Sequence, residues 1–212
     1  MLKITTDNEV DELSSRKNRS HSTSKADENL QRVTVGELTP HNATITLLEY
    51  DSNWPKLFER EADRVRSVLG NRVLQLEHIG STSVLDLCAK PIIDILLVVA
   101  DAADETTYAS DLEKAGYTLR IREPEWFEHR LFKGPDADIN LHVFSEDASE
   151  IKRMLRFRDW LRTHASDRDK YASVKRNLAQ REWRHVQHYA DAKDLAVQEI
   201  MERAEEFVAD EQ

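Results

Sequence analysis

The sequence predicts an α+β fold, a mixed β-sheet flanked by helices with a C-terminal helical segment, and three observations carry that expectation. PIIDILLVVA at 91–100 is an almost unbroken apolar run opened by proline, the pattern of a central strand covered on both faces. DINLHVFS at 138–145 alternates with a period of two, which puts Asp138, Asn140 and His142 on one face of a strand. Beyond residue 148 the apolar spacing becomes helical, with Ile151, Leu155, Arg158 and Leu161, then Tyr171, Val174 and Leu178, on single faces.

The elements follow in order. Residues 1–42 are rich in Ser, Asp, Glu, Asn and Lys without sustained periodicity and read as a disordered polar leader, with Val33, Val35 and Leu38 able to form one short edge strand. The folded domain is then 43–212. Ile45, Leu47 and Leu48 suggest a short strand, and 52–70 a helix capped by Ser52, with Pro55 in its first turn and Gly70 as its stop. A strand at 72–79 leads into the turn GSTSV. The central strand follows, then a helix near 103–115, a strand near 117–122, and a hairpin of WFEHRLFKG and DINLHVFS around GPDA. Helices at 148–163, 167–187 and 189–208 finish the chain.

Composition narrows the function. A 212-residue chain of net charge −10 suits one domain and argues against coating nucleic acid, which draws its energy from Lys and Arg neutralising phosphates. A local basic pocket still accommodates a nucleotide. Cys88 is the single cysteine, so no intrachain disulfide forms and a cytoplasmic location is expected. Without a Cys-His-Asn arrangement it reads as a small buried residue. No apolar run approaches the roughly 20 residues of a membrane span, and the first residues lack the apolar core of a signal peptide. GxxxxGK[ST] and a GxGxxG after a strand are both absent, which excludes a P-loop kinase and a dinucleotide-binding redox enzyme.

Two features point to a site. Asp94 interrupts the oily strand, and an unpaired carboxylate there costs several kcal/mol, so it needs a metal ion, a basic side chain such as Lys90 or Arg130, or several donors. Gly80, Ser81, Thr82 and Ser83 offer backbone N–H groups and hydroxyls suited to phosphate oxygens, although such a turn is equally a helix cap. Tyr171 with Lys175, and Tyr189 with Lys193, stand at helical i, i+4 spacing. These lysines are candidates for balancing triphosphate charge. The alternative is that the tyrosines pack between helices, covered by lysine stems whose ammonium groups reach water.

EHIGSTSV with AKPIIDI, followed by NLHVF, FRDWLR and the two Tyr-x-x-x-Lys pairs, is similar to the signature of GrpB proteins over about residues 43–205. The resemblance implies a nucleotidyltransferase-like fold, with the Gly-Ser turn as phosphate site and Asp94 as the principal Mg²⁺ ligand. Asp94 and His142 are then the candidate catalytic residues, and a nucleoside triphosphate (NTP) is the substrate or ligand. Nucleotide contacts fall to the turn together with Lys90, Arg130, Lys175 and Lys193. Glu77, His78 and Asp86 are candidate auxiliaries on the loop side, and Asp138, Asn140 and Tyr171 elsewhere. His78 and His142 are each open to a structural reading.

Two departures stand out. Nucleotidyltransferases of this superfamily carry a second acid two residues after the first, and here that position is Leu96, so a standard two-metal mechanism lacks a ligand. The family generally has Pro-Gly after GSTSV, where this chain has Leu85 and Asp86. Asp86 either repels a phosphate or supplies a metal ligand. The expected activity is transfer of a nucleoside monophosphate from an NTP to a small molecule or a protein side chain. The rival is a module of the same fold that binds a nucleotide or other phosphorylated ligand without chemistry.

Overall fold

The computed structural model describes residues 25–210. Residues 1–24 of the expected leader lie outside them. The chain divides between Leu38 and Thr39 into two units. In the first, residues 25–33 form a helix, α1, where disorder or an edge strand was expected. Ala26, Glu28, Leu30, Gln31 and Arg32 are good helix formers, and Thr34 ends the helix by donating its N–H (3.1 Å) and hydroxyl (2.6 Å) to the Leu30 carbonyl.

The second unit is built on one five-stranded sheet. Its strands are β1 (Gln75–Ile79), β2 (Ile93–Val99), β3 (Thr118–Glu123), β4 (His129–Lys133) and β5 (Ile139–Ser145). The order across the sheet is β1-β2-β5-β4-β3, with β2 and β5 parallel at the centre and every other pair antiparallel. The mixed sheet flanked by helices, with a C-terminal helical segment, is therefore the architecture found.

Helix α2 (Trp54–Leu69) has its N-cap at Asn53, one residue later than expected. Ser52 does not cap it; Asp51 accepts the Asn53 N–H at 2.9 Å instead, and Pro55 sits in the first turn. Gly70 stops it at φ +58°. Residues 45–48 do not form the expected strand; Leu48 makes only an isolated bridge to Ala89. The expected helix at 103–115 is a short 3₁₀ turn (Glu105–Thr107) followed by α3 (Ala109–Lys114). The C-terminal helices number four rather than three: α4 (Ser149–Thr163), α5 (Ala165–Ala179), α6 (Val186–Asp191) and α7 (Asp194–Asp210). The break between α5 and α6 falls at Gln180–His185, where Trp183 turns back to bridge Ala43.

β2 is covered on both faces. Leu96 and Val98 pack with Ile79, Phe144 and Ile151 of α4, while Ile93, Ile95 and Leu97 lie fully buried on the opposite side, which α2 contacts. A second cluster ties the segment after the Gly-Ser turn (Val84, Leu87, Cys88) to Tyr171 and Ala172 of α5 and Ile200 of α7. Thus the turn is held between the sheet and the C-terminal helices. Phe132 of β4 is fully buried, with its ring edge-on to Tyr108 at 6.1 Å. Phe132→Ala is expected to lower unfolding free energy by about 3–5 kcal/mol in chemical denaturation, from lost burial plus a cavity.

Candidate functional site

Strand register decides what surrounds Asp94. It stands opposite Ile79, the last residue of β1, and opposite Asn140 on β5, so Asp94, Asn140 and His142 share one face. Asn140 Nδ2 donates to Asp94 Oδ1 at 2.7 Å, and His142 Nε2 lies 3.6 Å from the same oxygen. The other oxygen lies against Gly80. A Cβ at position 80 would overlap Oδ2 and come within 3.0 Å of the Asp94 Cβ, and Gly80 has φ +67°. The carboxylate is 28 % exposed and touches the Gly-Ser turn, so it is not a sealed ion pair. Burial pushes its pKa up, but His142, Asn140 and Lys90 outweigh that and hold it below the ordinary carboxylate value.

The turn is a single 3₁₀ turn over Ser81–Ser83. Ser83 and Val84 spend their N–H groups on the Gly80 and Ser81 carbonyls, each at 3.2 Å, which leaves the Ser81 and Thr82 amides outside those bonds. Thr82 is buried: its hydroxyl donates to the Ile92 carbonyl at 3.0 Å and meets His78 Nε2 at 3.1 Å. The hydroxyl thus props the loop from within. His78 emerges on the opposite face of the sheet from Asp94, stacked on Phe58 with centroids 4.9 Å apart. Burial pushes its pKa down to about 4, so it is a neutral strut. The Ser83 hydroxyl donates to Gly80 O at 2.6 Å, and Arg162 of α4 donates twice to Ser83 O, at 3.0 and 3.1 Å. Arg162 was not singled out from sequence; its signal is the i+4 position from Arg158 within FRDWLR.

Three lysines gather beside this turn. Lys175 is 2 % exposed, donates to the Cys88 carbonyl, and lies 5.3 Å from the Tyr171 ring centre. Lys193, between α6 and α7, and Lys90 lie 4.8 and 5.7 Å from the Tyr189 ring centre. Burial, reinforced by mutual repulsion and opposed by Asp94, lowers Lys90 to about 8 and Lys175 to about 7. Lys193 is also lowered, chiefly by burial. The expectation that these ammonium groups reach water fails for Lys175, whose head is enclosed. Tyr189 is 1 % exposed, and its hydroxyl is unpartnered among the described residues.

Other expected members lie elsewhere. Arg130 pairs in register with Val143, which turns it to the face opposite Asp94, where it binds Glu105 at 2.5 Å. It is neither the Asp94 partner nor placed as a phosphate contact beside the turn. Asp138 pairs with Lys133 at 3.0 Å, and Glu77 with Arg158 at 2.8 Å. Asp86 is exposed at φ +63°, a left-handed conformation that aspartate tolerates better than most residues. Cys88 is buried, as expected.

Among the described residues no group of three or more His, Cys, Asp or Glu side chains forms a metal site. Leu96 lies fully buried under α4. The protein therefore does not fit a resident Mg²⁺ pair. A Mg²⁺ ion carried in on a triphosphate would meet one carboxylate, Asp94.

A family model described as GrpB protein matches residues 44–203. The chain is 76 % identical over 188 residues, covering 89 % of this chain and 96 % of the relative, to a UPF0157 protein of Halalkalibacterium halodurans. It is 42 % identical to one of Streptomyces coelicolor, covering 78 % and 87 % of the two chains. The crystal structure of the conserved protein GrpB from Enterococcus faecalis superposes with a TM-score of 0.67 at 31 % identity, covering 75 % of this chain and 96 % of that one.

Gly80→Ala is expected to destabilise by about 1–3 kcal/mol in denaturant titration, because it strains a left-handed backbone and pushes into Asp94. pH tests the buried histidines. Burial lowers both His78 and His129 to about 4, so the unfolded chain takes up their protons first as pH falls below about 6.5. Stability should fall from about pH 6.5 towards 4 by roughly 1.4 kcal/mol per pH unit for each histidine, and that histidine-dependent slope should halve in His129→Asn.

Proposed function

Because the chain belongs to the GrpB family, we propose that it binds an NTP, with phosphates on the Gly80–Ser81 turn and the three-lysine pocket, and transfers the nucleoside monophosphate to an acceptor. The observation that carries this is the cluster of Lys90, Lys175 and Lys193 in partial burial about Asp94, the one carboxylate that acts on all three, while Asp138 acts on Lys90 alone and Asp191 and Asp194 on Lys193 alone. Uncompensated buried cations are costly, and a bound polyanion removes that cost. The orphan Tyr189 hydroxyl, beneath two of the lysines, supplies a further polar atom.

In this reading a Mg²⁺ ion arriving with the NTP would be met by Asp94 and would supply charge neutralisation on the phosphates. Asp94 faces the reacting phosphate from the turn side. The lysines hold the non-reacting phosphates, and His142 stands where an acceptor group enters, 3.6 Å from Asp94. A specific observation favours the second reading, a binding module without chemistry: buried Leu96 at the usual second acidic position.

Thermal denaturation with ATP, GTP, CTP and UTP, each with and without Mg²⁺, separates the two. Stabilisation that needs the metal supports the transferase, and stabilisation indifferent to it supports the module. Asp94→Asn with full Mg²⁺-dependent binding and turnover would remove Asp94 from the reading. A bound anion raises the lowered lysine pKa values, so binding at about pH 8 should take up roughly one proton. Affinity should weaken as pH rises further. Calorimetry in buffers of different ionisation enthalpy reads that uptake, which Lys175→Gln should reduce.

A further inference from the structure

A line of side chains runs across the sheet to the candidate site. Glu123, at the end of β3, places Oε2 2.7 Å from His129 Nδ1. His129 Nε2 lies 3.0 Å from His142 Nδ1, and His142 Nε2 lies 3.6 Å from Asp94 Oδ1. His129 is 3 % exposed, stacked on Phe144 at 4.8 Å and met edge-on by Trp126 at 5.2 Å, so its ring cannot turn freely.

The protons follow from the chemistry of each group. A carboxylate only accepts, so His129 Nδ1 carries the hydrogen that Glu123 receives. Burial keeps His129 neutral, with its pKa lowered to about 4, which leaves Nε2 bare. A bare Nε2 must accept, so His142 Nδ1 donates to it.

We infer that Glu123 and His129 are positioning residues that hold His142 as its Nδ1–H tautomer, leaving Nε2 and Asp94 Oδ1 as two facing acceptors that select a ligand hydroxyl or amine. Two acceptors 3.6 Å apart repel unless a donor stands between them, and a hydroxyl or amine to one side reaches both. This rests on the transfer reading for its outcome. There the acceptor's oxygen or nitrogen bonds the α-phosphorus and its proton passes to His142 Nε2. The bond from α-phosphorus to the bridging oxygen breaks, and its electron pair leaves with pyrophosphate.

Long-range ¹H–¹⁵N correlation on the uniformly labelled full chain at about pH 7.5 tests the tautomer without any nucleotide. Wild type should show hydrogen on Nδ1 and a bare Nε2 for both His129 and His142. Glu123→Gln, whose amide both donates and accepts, should give mixed tautomers at both rings, and Glu123→Asp should restore much of the Nδ1–H form. A hydrogen on His142 Nε2 in wild type, or an unchanged His142 signal in Glu123→Gln, overturns the inference. In turnover assays, Glu123→Gln should keep NTP-induced thermal stabilisation yet lose roughly 100-fold in transfer; unimpaired transfer overturns the acceptor role. If the tautomer signature appears but no NTP stabilises the protein, the nucleotide reading fails and the relay stands.

Discussion

The structure turns on one carboxylate kept ionised at the start of its central strand. Asp94 survives there because favourable partners come from two directions: Asn140 donates from the parallel neighbour β5, and lysines bring positive charge from outside the sheet. Gly80 gives it room. Any side chain at that position would occupy the volume of the carboxylate oxygen, so turn and strand approach only because the residue between them has no Cβ. The parallel β2–β5 pairing is the constraint underneath, since it sets Asn140 rather than a neighbour beside Asp94.

The positive charge around Asp94 comes from outside the sheet. The chain as a whole carries net charge −10, yet Lys90, Lys175 and Lys193 gather about Asp94. α5 brings Lys175, the short link between α6 and α7 brings Lys193, and the segment leading into β2 brings Lys90. Each ammonium nitrogen lies over a tyrosine ring, Lys175 over Tyr171 and both Lys90 and Lys193 over Tyr189, and the ring faces attract a cation. Membership of the GrpB family and the match to the Enterococcus faecalis structure extend this architecture beyond a single chain. No helix among the described residues is long and apolar enough to cross a membrane.

Much of this is legible in the amino-acid sequence. The oily run with its lone acid, the small hydroxyl-rich turn and the Tyr-x-x-x-Lys spacings named Asp94, Gly80, Ser81 and the lysines, because each is a local pattern that burial or charge imposes on neighbouring residues. Thr82 and His78 are suggested by their place in or next to the turn and Arg130 by its charge, and strand register or the internal bonding of the turn sends their side chains elsewhere. Glu123, His129 and Arg162 were missed because their signal exists only across strands or between helix and loop.

The amino-acid sequence alone therefore determined the fold class, the order of most elements and the chemical character of the site. Periodicity and turn chemistry are written in consecutive residues. The tertiary structure decided which polar groups face one another. In a sheet, a shift of one residue sends a side chain to the opposite face, so Arg130 turns away from Asp94 while His129 joins His142 only once β3, β4 and β5 are paired in register.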